Sequence, residues 1–330
     1  MDKTNKYSQI IACFTLHIAG QSGKMIFKNL SVIDQLDFIK VGETLFGNKF
    51  ISMMQNAKET LNNHLDCNIN VITVIENEYP VLLKKSLNPP LALFYIGNLS
   101  ILSKPLISIV GTRKPSIITI HWVKEICYYL SKQGFTLASG LAIGIDTIVH
   151  ANSYLRGTIG VAAQSLDIRS PKINAYLFEE AMHKKSEVLL LSEYPLKTPA
   201  RKYHFINRNR IIAGISESTI FAEGGMNSGA MITANWCLKR QKKLYAIHSK
   251  FQKNNEGNNY LLSTNQAVNI SEAFPVNISR KKSEEADAFF IYNTPYYLGD
   301  DEWLFIDKKN FSTKFLLSDQ QDPDFVQCID

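Results

Sequence analysis

Four segments contain, in different combinations, the small, hydroxyl, amide and cationic residues that are typical of phosphate-binding loops. A glycine lets the backbone turn tightly, and the planar guanidinium of an arginine can donate two hydrogen bonds to one phosphate. Two of the segments lead into predicted helices, where free backbone N–H groups form an anion site. The four segments are 111–116, 139–146, 205–214 and 223–234.

Arginines and an aromatic residue are concentrated in the third of these segments, which we predict to be a loop. Arg208 and Arg210 flank Asn209, and Phe205 precedes them. Arginine for phosphate combined with an aromatic ring for base stacking is typical of proteins that bind single-stranded nucleic acids. On residue type alone, arginines that pack or lie on a solvated surface remain the alternative.

Strands that alternate with helices are predicted to position these segments. This alternation indicates an α/β fold with a doubly wound, mostly parallel sheet, in which ligands bind at the carboxyl ends of the strands. The predicted strands are short apolar runs at 70–75, 106–110, 135–138, 158–162, 188–191, 218–222 and 243–247. The predicted helices between them are 120–132, 146–156, 174–184 and 229–240.

Two further segments flank the α/β core, which we assign to residues 69–278. Residues 1–68 have apolar side chains at helical spacing and are predicted to form a small helical unit. Residues 279–330 form an acidic segment with several aromatic residues, to which the sequence assigns no fold.

Charge is distributed unevenly along the chain, whose net charge is +6. Residues 101–250 contain 20 Lys and Arg against 9 Asp and Glu, whereas residues 281–330 contain 5 against 11. A basic surface binds a polyanion by releasing its counterions, although a solvated basic face is the alternative. We predict that the acidic segment packs on the core and competes for its basic surface; a separate cap without effect is the other possibility.

Composition excludes several classes of protein. The mean hydropathy is −0.09, and no apolar run approaches the roughly 20 residues that a membrane-spanning helix needs. The chain begins with charged residues and lacks the apolar stretch of a signal peptide, so we predict a cytoplasmic protein. The five cysteines are scattered and form no CxxC pair, which argues against a disulfide framework or a zinc site.

The acidic and histidine residues near the four segments do not form a recognisable catalytic or metal site. Asp146 and His150 are four residues apart on one predicted helix, but two ligands alone do not bind a metal. Glu193 follows a predicted strand without a histidine or nucleophile at a useful spacing. We therefore predict no catalytic residue, no metal and no cofactor.

The order of the motifs gives a specific resemblance. Gly111-Thr112-Arg113 is followed by SGLAIGID at 139–146, SEYP at 192–195, FINRNRIIAGIS at 205–216 and SGAMITA at 228–234. Over roughly residues 70–275 the chain resembles the DNA-processing protein A family (DprA, also called Smf).

The resemblance implies an extended Rossmann-like core that binds single-stranded DNA in a basic pocket without hydrolysing it. It implies protection of incoming DNA, loading of a RecA-type recombinase in natural transformation, and a homodimer. Carried over by motif, Arg113, Arg208 and Arg210 are expected to contact phosphate, and Lys172 stands where the family has a lysine after a Tyr-Pro pair. The full set of expected DNA-binding residues is Gly111, Thr112, Arg113, Ser139, Gly140, Lys172, Phe205, Arg208, Asn209, Arg210, Ser228 and Gly229.

The chain also departs from the family pattern. Ala162-Ala163-Gln164 stands where the family has Gly-Ser/Thr-Gly, Ser170 replaces a tyrosine, and the C-terminal segment does not resemble a winged helix. Glu223-Gly224-Gly225 resembles part of the phosphate loop of LOG-type nucleotide hydrolases, without its Gly-Thr and downstream glutamate. A nucleotide-binding or nucleotide-hydrolysing protein is therefore the alternative, and a basic scaffold for a protein partner is a third possibility.

Overall fold

The computed structural model describes residues 3–21, 36–248 and 255–270, and the backbone of four strands within 296–329. The central element is a nine-stranded mixed sheet in the order β1-β2-β6-β5-β4-β3-β7-β8-β9. Its strands are β1 (Asn70–Thr73), β2 (Ala92–Gly97), β3 (Leu106–Val110), β4 (Thr136–Gly140), β5 (Thr158–Val161), β6 (Val188–Ser192), β7 (Ser218–Phe221), β8 (Lys243–Ala246) and β9 (Val268–Asn269).

Pairing in the sheet is parallel from β6 through β9 in the spatial order, and β2 pairs antiparallel with both β1 and β6. The predicted doubly wound α/β fold is thus confirmed. The sequence-based assignment lacks β2 and β9, because a strand that completes a sheet through distant partners has no local signature beyond a short apolar run.

Helices lie before the sheet and between its strands. The helices before the sheet are α1 (Lys3–Ile18), α2 (Phe38–Phe46) and α3 (Lys49–Asp66). Those that follow along the core are α4 (Val81–Lys84), α5 (Ile117–Lys132), α6 (Ile145–Ser153), α7 (Tyr176–Ala181), α8 (Lys202–Ile215), α9 (Gly229–Lys239) and α10 (Glu256–Ser263).

Side chains of β3 alternate between two apolar layers, as the period of a strand requires. Leu106 and Val110 pack in a cluster with residues of α8 and α9, whereas Ile107 and Ile109 pack with residues of α5 and α6. Every residue of β3 is buried, which is the normal state of a parallel strand covered by helices on both faces.

The prediction of a loop at 205–214 is wrong. These residues lie inside α8, and its residues from Arg208 to Ile215 are all buried. A surface helix is recognised by one apolar stripe, and a helix that is enclosed on most sides has none. The sequence of such a helix therefore resembles that of a loop.

The N-terminal helices pack directly on the sheet. Leu16 of α1, Phe38 of α2 and Phe50 of α3 belong to the same apolar cluster as Leu91 and Leu93 beside and within β2. The boundary predicted at residue 68 therefore separates elements that share a core. Among the described residues, no helix combines the length and the apolar character that a bilayer crossing requires.

The C-terminal segment contains a second, four-stranded antiparallel sheet in the order β10-β11-β12-β13. Its strands are β10 (Tyr296–Gly299), β11 (Glu302–Ile306), β12 (Thr313–Leu316) and β13 (Val326–Ile329). The predicted docking of this segment on the basic surface depends on side chains that lie outside those described.

Candidate nucleic-acid interface

A cavity of about 360 Å³ lies at the carboxyl end of β3, where α6, α8 and α9 meet. Its lining combines apolar side chains with polar and charged ones. The lining residues are Val110, Gly111, Thr112, Arg113, Ala142, Asp146, Phe205, Arg208, Asn209, Ile212, Ser228, Gly229, Ala230 and Thr233. The structure thus brings together residues from all four of the segments singled out in the sequence.

The loop after β3 forms one wall and is held by backbone contacts. The N–H of Thr112 donates to the carbonyl of Glu223 (2.8 Å), and the N–H of Ile145 donates to the carbonyl of Thr112 (3.2 Å). Gly144 has φ +86°, and a Cβ added there would lie 2.5 Å from the Thr112 carbonyl oxygen. Only glycine tolerates both that conformation and that approach. The glycine-rich turn therefore packs the start of α6 against the loop.

Glu223 connects this wall to the start of α5. Its buried carboxylate accepts hydrogen bonds from the N–H of Ser116 (3.0 Å) and from the Ser116 hydroxyl (2.7 Å). A carboxylate at a helix N-terminus is favoured by the helix dipole. Glu223 is thus engaged in holding the loop and does not line the cavity.

Arg113 and Phe205 lie together among the lining residues. The guanidinium carbon of Arg113 is 5.4 Å from the centre of the Phe205 ring, within the range of a cation–π contact. Arg113 is exposed and Phe205 half-buried. An exposed cation beside an aromatic face offers a phosphate contact and a stacking surface at neighbouring points.

Arg208 lies deeper in the cavity wall and is 5% exposed. Its Nη1 donates to the carbonyl of Val161 (2.8 Å) and lies 3.9 Å from Oδ2 of Asp146. Its Nε is buried without a hydrogen-bond partner. Burial lowers the pKa of the Arg208 guanidinium, and the Asp146 carboxylate opposes that shift.

Gly140 makes room for this guanidinium. A Cβ at Gly140 would lie 1.6 Å from Nη1 of Arg208 and 2.3 Å from Oδ2 of Asp146. Ser139 supports the same group, since its hydroxyl lies 2.8 Å from Oδ1 of Asp146. Ser139 and Gly140 therefore lie outside the lining and act on the cavity through Arg208 and Asp146.

His150 is fully buried behind this cluster. Its Nε2 bonds to the carbonyl of Gly140 (2.5 Å) and its Nδ1 contacts Oγ1 of Thr158 (2.8 Å), and burial lowers its pKa. Asp146 and His150 thus hold the start of α6 against β4. No group of three or more metal-ligating side chains occurs in the described part of the chain.

The start of α9 also lines the cavity, through Ser228, Gly229 and Ala230. Ser228 caps this eleven-residue helix, because its hydroxyl accepts a hydrogen bond from the N–H of Met231 (3.2 Å). Asn209 of α8 donates through Nδ2 to the carbonyl of Gly229 (2.9 Å), which fixes α8 against this terminus. The positive end of the α9 dipole therefore faces the cavity.

Arg210 does not line the cavity. Residues two apart on a helix are rotated by about 200°, so Arg208 and Arg210 leave α8 on opposite sides. Arg210 is 4% exposed, and its Nη2 donates to Oε1 of Glu193 (2.5 Å). Lys172 is exposed and also lies outside the lining.

Eight of the twelve residues expected from the motifs line the cavity: Gly111, Thr112, Arg113, Phe205, Arg208, Asn209, Ser228 and Gly229. Sequence reasoning missed Asp146 as a lining residue. The available signal was its place at the end of the SGLAIGID turn, because a helix start after a strand end lies at the ligand-binding edge.

Comparison with known proteins agrees with this geometry. The profile of the DNA recombination-mediator protein A family matches residues 70–278. The chain belongs to this family. It is 40% identical over 186 residues to DNA processing protein DprA of Bacillus subtilis, a match that covers 54% of this chain and 60% of the relative.

Solved structures of family members have the same fold. DNA processing protein A of Streptococcus pneumoniae matches with 28% identity and a TM-score of 0.62, covering 81% of this chain and 95% of that one. DNA processing protein A of Helicobacter pylori, whose single-stranded DNA binding mode is described, matches with 29% identity and a TM-score of 0.56. That match covers 61% of this chain and 90% of the other.

Proposed function

We propose that the cavity binds single-stranded DNA and that the protein acts as a DNA-processing protein of its family. The observation that carries the proposal is the meeting of Arg113, Phe205, Arg208 and the start of α9 around one cavity. The arginines and the N-terminus of α9 can bind phosphate groups, and the ring of Phe205 can stack on a base.

Size supports a single strand over a duplex. The cavity of about 360 Å³ is lined by one aromatic ring, Phe205, and by the Arg113 and Arg208 guanidinium groups, which suits a single unstacked nucleotide better than a base pair. Inside a duplex both faces of a base are covered by the neighbouring base pairs, whereas an unstacked base of a single strand can offer a face to Phe205, so stacking there tolerates any sequence. DNA processing protein A of Helicobacter pylori is described as binding single-stranded DNA, which also supports a single strand as the ligand.

The proposal does not include hydrolysis of a nucleotide. The carboxylate of Glu223 is bonded to Ser116, and that of Glu193 is bonded to Arg210. The carboxylate that does line the cavity, Asp146, accepts the N–H of Ala142 (3.2 Å) and faces Arg208. Each of these carboxylates already holds a structural partner, so we propose a binding protein and not a nucleotide hydrolase.

Recombination gives the proposal its wider setting. We propose that the bound strand is protected and delivered to a RecA-type recombinase in the cytoplasm, and that the protein works as a homodimer. The description of the family as a recombination mediator supports delivery to a recombinase. The matched region spans 60% of the Bacillus subtilis relative, so these activities of whole relatives are transferred here as proposals.

The test is a binding titration with fluorescent single-stranded and duplex oligonucleotides of one mixed sequence. We expect the single strand to bind at least tenfold more tightly, and Phe205→Ala to weaken it about tenfold, since stacking contributes about 1–3 kcal/mol per base. The control is Lys184→Ala, which should leave affinity unchanged. Lys184 is exposed and precedes β6, so it lies toward the amino-terminal ends of the parallel strands, away from the cavity at their carboxyl ends. Equal binding of duplex, or base release from a nucleoside monophosphate, would contradict the proposal.

A further inference from the structure

Two buried histidines of the N-terminal helices contact the segment that leads into the cavity helix. We name residues 193–201, between β6 and α8, the junction loop. Nε2 of His17 in α1 lies 2.9 Å from the carbonyl oxygen of Glu193. Nε2 of His64 in α3 lies 3.0 Å from the backbone nitrogen of Leu196. The N-terminal helices therefore hold the loop from which α8 begins.

The partners of His64 fix its protonation state. Nδ1 lies 2.6 Å from the carbonyl oxygen of Thr60, an acceptor, so Nδ1 carries the hydrogen. Nε2 faces the N–H of Leu196, a donor, so Nε2 must present its lone pair. His64 is therefore the neutral tautomer. If Nε2 also gained a proton, it could no longer accept the hydrogen bond from Leu196. Two N–H groups, one of His64 and one of Leu196, would then face each other.

The surroundings of His64 favour this neutral form. The ring is 1% exposed and stacks on Phe94 of β2, with centroids 4.5 Å apart. Burial lowers the pKa of His64, and the Thr60 carbonyl and the Asp167 carboxylate oppose the shift. Asp167 is the charged group that faces this contact, and it also accepts the N–H of Lys197 in the junction loop (3.1 Å).

His17 responds to acid differently, although it contacts the same loop. Its partner is a carbonyl, so Nε2 is the donor, and protonation at Nδ1 leaves that hydrogen bond in place. Burial lowers the pKa of His17; the Glu193 carboxylate raises it and the Arg210 guanidinium lowers it. His17 is thus a control within the same interface.

We propose that His64 is a positioning residue for the cavity, which holds the junction loop at neutral pH and releases it on acidification. Its effect on DNA rests on the proposed function, whereas its effect on the loop does not. Other contacts keep the loop attached, including the N–H of Thr198 to the hydroxyl of Ser165 (3.0 Å) and the N–H of Lys197 to the Asp167 carboxylate (3.1 Å). Acid should therefore loosen the start of α8 without unfolding the protein.

The direct test is amide hydrogen exchange of the full chain at pH 7.5 and pH 5.5, corrected for intrinsic exchange. We expect the protection of Leu196 to fall by up to about tenfold at the lower pH, the limit that a released imidazole with a pKa of about 6.5 allows. His64→Gln, whose side-chain oxygen accepts at both pH values, should keep the protection, and His17→Gln should behave as the wild type does. Unchanged protection of Leu196 in the wild type would overturn the proposal, even if His64→Gln failed to fold.

A second readout separates this inference from the proposed function. Single-stranded DNA affinity should fall about threefold more between pH 7.5 and pH 5.5 in the wild type than in His64→Gln. Equal changes in both proteins would exclude an effect of His64 on the cavity. Absence of DNA binding at either pH would contradict the proposed function alone, because exchange at Leu196 tests the contact by itself.

Discussion

The two faces of α8 differ in what their arginines contact. On the cavity face, Arg208 lies between the Val161 carbonyl and Asp146, with an Nε that has no partner. On the opposite face, Arg210 forms a buried ion pair with Glu193. One face leaves hydrogen-bonding capacity beside a cavity, and the other uses it within the protein. A shared motif and residue type therefore do not imply a shared role.

The packed face continues along α8 toward its C-terminus. A Cβ on Gly214 would lie 2.5 Å from Cδ1 of Leu83, so α8 approaches α4 closely there. The ammonium group of Lys242 donates to the carbonyls of Ala213 (2.9 Å) and Gly214 (3.0 Å), which a helix end otherwise leaves unpaired. This face fixes the helix so that the cavity face keeps its geometry.

The largest effect is expected for Arg210→Ala. It leaves the carboxylate of Glu193, which is 16% exposed, without its ion-pair partner, and the loss approaches the roughly 3–5 kcal/mol in the free energy of unfolding that breaking a buried pair costs. The control is Arg169→Ala, which removes an exposed pair with Glu179 at 3.8 Å and should cost less than about 1 kcal/mol. Urea titrations measure the free energy of unfolding of both variants. Equal losses would contradict the structural role that we assign to Arg210 on the packed face of α8.

A smaller change is expected on the cavity face for Gly140→Ala. The added methyl group displaces the guanidinium of Arg208 without removing its charge. We expect DNA affinity to fall about tenfold and the free energy of unfolding to fall by about 1–3 kcal/mol, as overpacking costs. Gly225→Ala is the control, because its Cβ would meet only the Glu256 carboxylate, at 3.5 Å. Full affinity in folded Gly140→Ala would mean that DNA does not depend on the position of Arg208.

Acidification should lower the free energy of unfolding by a modest amount, through histidines near both faces of α8. Burial lowers the pKa of His17, His64 and His204 near the junction loop, and of His150 behind the cavity. Below about pH 6.5 the histidines of the unfolded chain are protonated, whereas those of the folded chain, with their lower pKa values, stay neutral. The free energy of unfolding therefore decreases as the pH falls below that value. Each unit of pKa difference contributes about 1.4 kcal/mol. Urea titrations at pH 7.5 and 5.5 measure the loss, and exposed His183→Gln should leave it in place.

The sequence predicts the sheet core better than it predicts the cavity helix. The apolar, β-branched run at 106–110 corresponds to β3 residue for residue, because a buried parallel strand needs only a short apolar stretch. Residues 202–215 have polar side chains on more than one side and no separate apolar stripe, so their pattern does not indicate a surface helix or distinguish Arg208 from Arg210.

The cavity itself depends on contacts between distant segments. Asp146 meets Arg208 only because β4 and α8 lie side by side in the fold, and Glu193 meets Arg210 through the chain reversal after β6. The motifs therefore predict the edge of the sheet that carries the site. They do not predict which member of each motif faces the cavity, since that depends on helix rotation.

The most direct test of the account is the salt dependence of single-stranded DNA binding by the wild type and Arg113→Ala. Arg113 is exposed at the cavity, so its removal should leave the melting temperature unchanged. Each phosphate contact contributes about −0.7 to the slope of log K against log salt on a single strand. We predict weaker binding by Arg113→Ala and a slope shallower by about 0.7. Identical affinities and slopes in the two proteins would contradict a DNA site in this cavity.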